Sequence, residues 1–142
     1  MEKNQIFENI MIRTSVRSYT DMPPLAIVVC GCLDKTLEGI EQEFWIQDCS
    51  AATENILQMA HGLGLGCVWT ALYPLKERYE GMQQLLHLSK MMIPLNTLII
   101  GYPKNQVAAK DKWKEENISY NKLDGEKFII QEKEEEIGKE EK

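Results

Sequence analysis

The chain has 142 residues, of which 44% are hydrophobic, and its formal net charge is −6 at pH 7. This length predicts one domain with an ordinary hydrophobic core, and the negative charge argues against nucleic acid or an anionic membrane as the main partner. Because no apolar run is long enough to cross a bilayer and the N-terminus lacks a signal-peptide pattern, we expect a cytoplasmic protein.

The first predicted element is a short amphipathic helix in NQIFENIMIRTSV, where apolar residues recur at helical spacing. It should break near Thr14, which leaves an Arg/Ser cluster at its end or in the following loop. If the cluster is extended, Arg13, Ser15 and Arg17 project to one side and can face one anion or polar ring. The alternative is a solvated helix end whose cations offset the macrodipole, and spacing alone favours this alternative.

The clearest strand is LAIVVCGC, which is apolar on both faces and is therefore predicted to be central in a sheet. Cys30 and Cys32 lie in it and are predicted to be small core residues. With Cys49 and Cys67 they match no CxxC pair or zinc pattern, so the sequence does not support a metal site.

A polar connector, DKTLEGIEQEFWIQD, leads to a second predicted helix through SAATENILQMAHGL, with Asp48 as its N-cap. Glycines follow this helix, and at least one of them suits a left-handed C-terminal position. The predicted apolar face consists of Ala52, Ile56, Met59, Ala60 and Leu63.

Next come a strand in CVWTALYP, an amphipathic helix in LKERYEGMQQLLHL and a third strand in LNTLIIGYP, which Pro94 precedes. A last edge strand is predicted in EKFIIQ. This order predicts an α/β or α+β domain in which helices cover a small sheet. Since three strands leave apolar surface exposed, the pattern favours a dimer.

No residue pattern typical of hydrolysis is present. His61 and His87 lie at helix ends without a partner motif and are predicted to be structural. The glycines of AHGLGLGCVW follow a helix and precede a strand, which is the reverse of the dinucleotide-binding order. A second basic cluster, Lys110, Lys112 and Lys114, follows the third strand and either is solvated or helps to hold a phosphorylated cofactor.

Several segments together resemble the nitroreductase family of FMN-dependent oxidoreductases. They are RTSVRSYTD, PLAIVVCG, FWIQDCSAATENILQMAHGLGLGCVWTALYP, IPLNTLIIGYP and KDKWKEENISYN, and the resemblance extends to about residue 122. It implies an α+β homodimer that binds FMN at the subunit interface. It also implies electron transfer from NAD(P)H to nitro compounds, quinones or similar small acceptors.

The resemblance also implies a set of cofactor-binding residues. Arg13 would lie at the ribityl phosphate, with Ser15 and Arg17 nearer the ribityl chain and the ring edge. The backbone after Leu-Gly-Leu-Gly would lie against the isoalloxazine, and basic residues beyond Gly-Tyr-Pro would hold the phosphate. No catalytic acid or base of the protein is implied. The implied FMN-binding residues are Arg13, Ser15, Arg17, Val68, Trp69, Thr70, Ala71, Lys110 and Lys112.

One segment of the family pattern is missing between Asp21 and Leu25, where Met22, Pro23 and Pro24 form a direct joint. A natural deletion, an engineered or misassembled chain, or a loss of function would each produce this joint. The alternative function is therefore a degenerate family member that dimerises without flavin turnover and acts as a structural or small-ligand-binding protein. We expect residues 1–123 to form a shortened FMN-binding domain and residues 124–142 to be a charged, partly disordered extension.

Overall fold

A computed structural model describes residues 4–119 of the chain. Their helices and strands confirm the α+β class, because helices accompany one antiparallel sheet. The predicted strand in EKFIIQ and the predicted extension lie outside the described residues. In chain order, the elements are α1 Gln5–Ile12, β1 Leu25–Cys32, α2 Trp45–Gly62, β2 Gly66–Ala71, α3 Lys76–Leu85 and β3 Met92–Gly101.

The sheet has the order β1-β3-β2, and both pairings are antiparallel. The prediction that β1 is central was therefore wrong, since β3 occupies the middle position. Cys30 and Cys32 of β1 are only partly buried, which corrects their prediction as core residues. A continuous apolar run indicates burial of both faces but does not specify which strand has neighbours on both edges.

Strand β3 begins at Met92, two residues before Pro94, and not after this proline as the sequence predicted. Its register with β1 skips Leu95, which is the extra residue of a β-bulge. Pairing with β2 ends at Asn96. Pro94 therefore lies beyond the residues of β3 that pair with β2, and beside the bulge. A strand tolerates a missing N–H at such a position.

Helix α2 packs its inner face on the sheet. It begins at Trp45 without a side-chain cap, so the prediction of Asp48 as the N-cap was wrong. The predicted inner face was also rotated, because Met59 and Leu63 are about two-thirds exposed, at 65% and 67%. The residues of α2 that are buried are Trp45, Thr53, Leu57 and Ala60.

A polar contact explains this rotation. Thr53 is fully buried and its Oγ1 accepts a hydrogen bond from Nδ2 of the equally buried Asn96, at 2.9 Å. The same hydroxyl donates to the Cys49 carbonyl at 2.7 Å. A threonine thus lies inside because it has partners there. The hydrophobic cluster beside this contact contains Leu57, Ala60, Cys67, Leu98 and Ile100.

Helix α2 ends in a Schellman motif. The N–H of Leu65 donates to the Ala60 carbonyl and the N–H of Gly64 to the His61 carbonyl, both at 2.9 Å. Gly64 has φ of 75°, which confirms the predicted left-handed glycine.

The chain divides into two units after Lys110. Residues 111–119, the described part of the second unit, contain one turn of 3-10 helix at Glu115–Asn117. Among the described residues, no helix is long and apolar enough to span a membrane. The same residues contain no group of three or more His, Cys, Asp or Glu side chains suited to a metal ion.

Candidate functional site

Residues 13–19, which we call the Arg/Ser strip, form an extended segment that two parts of the fold hold in place. The Val16 N–H donates to the Cys67 carbonyl on the edge of β2 at 3.1 Å. Farther along, Tyr19 forms an antiparallel bridge with Pro103, and the Lys104 N–H donates to the Ser18 carbonyl at 3.0 Å. The strip therefore runs from the start of β2 to the segment that follows β3, and is not the last turn of a helix.

Val16 anchors the strip through its side chain, which is 8% exposed. It packs on Gly66 so closely that a Cβ at Gly66 would lie 2.7 Å from the Val16 Cγ1. Only a glycine therefore allows the strip to approach the start of β2 this closely.

Tyr19 ties the far end of the strip to the central strand. Its hydroxyl lies 2.9 Å from both the Val16 and the Ile99 carbonyl oxygens, and its single proton is shared between these two acceptors. Burial, and secondarily the neighbouring Cys67, raise the pKa of the Tyr19 phenol above its ordinary value. The hydroxyl therefore stays protonated as a donor at neutral pH.

The two sides of the strip have different environments. Arg13 and Ser15 are half-buried and Arg17 is exposed. Thr14 and Val16 of the strip line a groove of about 390 Å³, whereas none of the three predicted ligand-binding side chains of the strip lines it. The groove is lined by Ile12, Thr14, Val16, His61, Gly64, Leu65, Pro103, Asn105, Gln106, Val107 and Ala109.

Arg13 reaches helix α2, where its Nε lies 3.4 Å from Oε1 of Glu54. The same carboxylate oxygen accepts a hydrogen bond from Gln58 Nε2 at 2.7 Å. Burial raises the pKa of the nearby Cys67 thiol, while the Val68 backbone N–H and the Arg13 guanidinium act in the opposite direction. Glu54 leaves no local signal in the sequence, because it lies far from Arg13 along the chain and on another helix.

The last four residues of β2 are those that the resemblance assigns to the flavin ring. The carbonyl of Cys67 accepts from the strip, and that of Ala71 accepts from Arg78 Nη1 at 3.4 Å. Since backbone groups of alternate residues in a strand point to the same edge, Trp69 also turns its N–H and carbonyl away from β3. Val68 is half-buried, and Thr70 and Ala71 are exposed.

The two predicted lysines lie in different units of the chain. Lys110 is exposed at the end of the first unit, and Lys112 is exposed in the second. Their predicted convergence on a phosphate with Arg13 stays a prediction.

No protein-family model matches the chain. A curated relative from Methanothermobacter thermautotrophicus, named "Putative NADH dehydrogenase/NAD(P)H nitroreductase", is 43% identical over 99 residues, which are 70% of this chain and 50% of the relative. This chain spans about half the length of the two curated relatives that it matches.

Solved structures agree with this similarity. A protein of the same name from Parabacteroides distasonis superposes with a TM-score of 0.76 and 29% identity, over 84% of this chain and 99% of that chain. An FMN-dependent nitroreductase from Clostridium difficile superposes with a TM-score of 0.62 over 70% of this chain and 58% of that chain. At 23% identity this second likeness concerns the fold alone. By its fold and its relatives, the chain belongs to the nitroreductase family.

Proposed function

We propose that this protein is an FMN-dependent oxidoreductase of nitroreductase type, which passes electrons from NAD(P)H to nitro compounds, quinones or similar small acceptors. The observation that carries the proposal is the contact between the Arg/Ser strip and β2. These two segments are far apart in sequence, and the resemblance assigns both of them to the flavin. Their backbone hydrogen bond and the packing of Val16 on Gly66 make them neighbours.

The residues present suit the chemistry of FMN. The strip offers guanidinium groups of Arg13 and Arg17 with the Ser15 hydroxyl between them, and these are good partners for phosphate and ribityl oxygens. The outward backbone groups of Trp69 are suited to the polar edge of a flavin ring. When bound, FMN supplies the two-electron transfer between NAD(P)H and the acceptor. The resemblance also assigns Lys110 and Lys112 to the phosphate.

A homodimer with FMN at the subunit interface is the second part of the proposal. Helix α1 carries exposed apolar side chains at Ile6, Phe7 and Ile10. Met59 on α2 and Leu63, which directly follows α2, are exposed too. Helix α1 lies near this end of α2, with Asn9 Nδ2 3.1 Å from the Cβ position of Gly62. Apolar surface on adjoining helices is typical of an interface.

Flavin binding tests the proposal directly. The purified chain should be yellow, or become so with FMN, and should quench flavin fluorescence in a titration. Arg13→Ala should weaken FMN binding by on the order of 1.5–3 kcal/mol, the scale of a hydrogen bond to a charged group. Lys76→Ala, which removes a cation from an exposed ion pair on α3, is the matched control and should leave FMN affinity unchanged.

The bound protein should then oxidise NADH or NADPH when a quinone or nitro compound is supplied. A chain that stays colourless and does not bind FMN would contradict the proposal and favour the degenerate, flavin-free alternative. Unchanged affinity in Arg13→Ala would contradict the assignment of Arg13 to the phosphate.

A further inference from the structure

A chain of polar contacts on α2 ends at Arg13. Gln58 Nε2 donates to Glu54 Oε1 at 2.7 Å, and this oxygen lies 3.4 Å from Arg13 Nε. The side chain of Arg13 is 20% exposed, whereas that of Glu54 is 47% exposed. The arginine side chain is therefore the more enclosed of the two partners.

The contact involves one particular edge of the guanidinium. This group is planar and carries one N–H on Nε and two on each Nη, in a rigid fork. The Glu54 carboxylate lies on the Nε side of this group and attracts it as an ion pair at 3.4 Å, without a hydrogen bond from the buried Nε. The backbone of Arg13 is also held, because its N–H donates to the Asn9 carbonyl at 2.8 Å. A hydrogen bond therefore holds the backbone of Arg13, and an ion pair restrains its guanidinium.

Holding a flexible arginine in one orientation favours binding, since less side-chain freedom is lost when the ligand arrives. A carboxylate near a phosphate also repels it, so the two effects oppose each other. Repulsion is weakened here because Glu54 is half-exposed to screening solvent and its charge faces both Arg13 and the Gln58 amide. The orienting effect should therefore exceed the repulsion.

We propose that Glu54 is a positioning residue for Arg13, whose guanidinium it restrains by this ion pair for contact with the phosphate of the flavin. This inference rests on the proposed FMN function. Glu54 does not touch the ligand, and its effect should concern only ligands that carry a phosphate.

The experiment compares FMN with riboflavin, which has the same ring and ribityl chain but no phosphate, on the full chain. Glu54→Gln should weaken FMN binding about 2- to 10-fold, which corresponds to ordering one long side chain, and should leave riboflavin binding unchanged. In an Arg13→Ala background, Glu54→Gln should have no further effect on FMN binding. The matched control is Glu80→Gln, which neutralises an acid of similar exposure, 45%, in the ion pair with Lys76.

A measurement without ligand keeps the two proposals separate. The chain has three arginines, Arg13, Arg17 and Arg78, so the Nε–H signal of Arg13 can be assigned by its loss in Arg13→Ala. In Glu54→Gln the hydrogen exchange of this signal should become several-fold faster, and in Glu80→Gln it should not change.

Unchanged exchange or unchanged FMN affinity in Glu54→Gln would overturn the positioning role, even if the wild-type chain binds FMN. Tighter FMN binding would show that repulsion dominates, and an equal loss for FMN and riboflavin would show a merely structural role. Either result overturns the inference. A wild-type chain that binds neither flavin would instead overturn the proposed function, and the inference with it.

Discussion

Helices α2 and α3 end in the same hydrogen-bonding arrangement but place different residues in its left-handed position. At the end of α3, the Leu88 N–H donates to the Gln83 carbonyl at 2.9 Å and the His87 N–H to the Gln84 carbonyl at 3.3 Å. His87 has φ of 53°, where α2 has Gly64. A side chain in this region costs free energy that glycine avoids. His87 is therefore a position where the fold tolerates local strain.

These two positions predict opposite responses to substitution. His87→Gly should raise the free energy of unfolding by about 0.5–1 kcal/mol, because it removes the side chain from a left-handed backbone. Gly64→Ala should lower it by about 1 kcal/mol for the same reason. Urea unfolding of the full chain measures both changes.

Gly81→Ala is the control for these substitutions, since Gly81 lies within α3 and, apart from its chain neighbours and its own helical backbone, nothing lies within 4 Å of its Cβ position. It should increase stability by about 0.5–1 kcal/mol, as alanine generally does in a helix interior. If His87→Gly were destabilising, the imidazole would have to make interactions that outweigh the backbone strain.

The contact between the Arg/Ser strip and β2 is the element-level feature on which the candidate site depends. The strip has no regular structure of its own, and its position follows from Val16, from the β2 edge and from the segment after β3. The Leu-Gly-Leu-Gly turn therefore has two roles. Gly64 ends the helix in a left-handed conformation, and Gly66 leaves room for Val16.

Gly66→Ala tests this contact. The added methyl group would lie 2.7 Å from Val16 Cγ1, so the strip must move, at a cost of about 1–3 kcal/mol in stability. Because Arg13, Ser15 and Arg17 would move with it, FMN affinity should fall as well. Flavin titration and urea unfolding measure the two effects. If the stability and the FMN affinity of Gly66→Ala both stay at the wild-type level, the strip does not depend on this close approach.

At the scale of the whole molecule, the notable feature is apolar surface on α1 and α2. Met59 of α2 and Leu63 directly after it stay exposed, whereas Leu57 and Ala60 of α2 are buried in the core. A small domain has too little interior to bury all of its apolar side chains within one chain. Such surface is expected to be covered by a second copy.

The dimer proposal predicts a specific defect. Met59→Glu should raise the dimer dissociation constant on the order of 100-fold, because it would bury an unpaired charge in the interface. Sedimentation velocity over a range of concentrations measures this change. Met22→Glu is the control, since Met22 is 89% exposed and lies outside both helices. A wild-type chain that is monomeric at micromolar concentration, or equal behaviour of the two variants, would contradict the proposed interface.

Local features of the sequence determined the kind and approximate position of each helix and strand. Helical periodicity, a continuous apolar run and glycines after a helix are properties of adjacent residues, so α1, β1 and the left-handed Gly64 were predictable. The combined motifs also indicated the nitroreductase family. The boundaries of the elements were predicted less closely. Helix α2 starts at Trp45 and β3 includes Pro94, and both differ from the predictions.

Only the tertiary structure decided which elements and side chains meet. The central position of β3 depends on pairing between distant strands. The inward face of α2 depends on the hydrogen bond from Asn96 to Thr53. The partner of Arg13 is likewise Glu54, on a different helix. These contacts join residues that are far apart in the chain, so periodicity and turn chemistry, which act over a few residues, do not specify them.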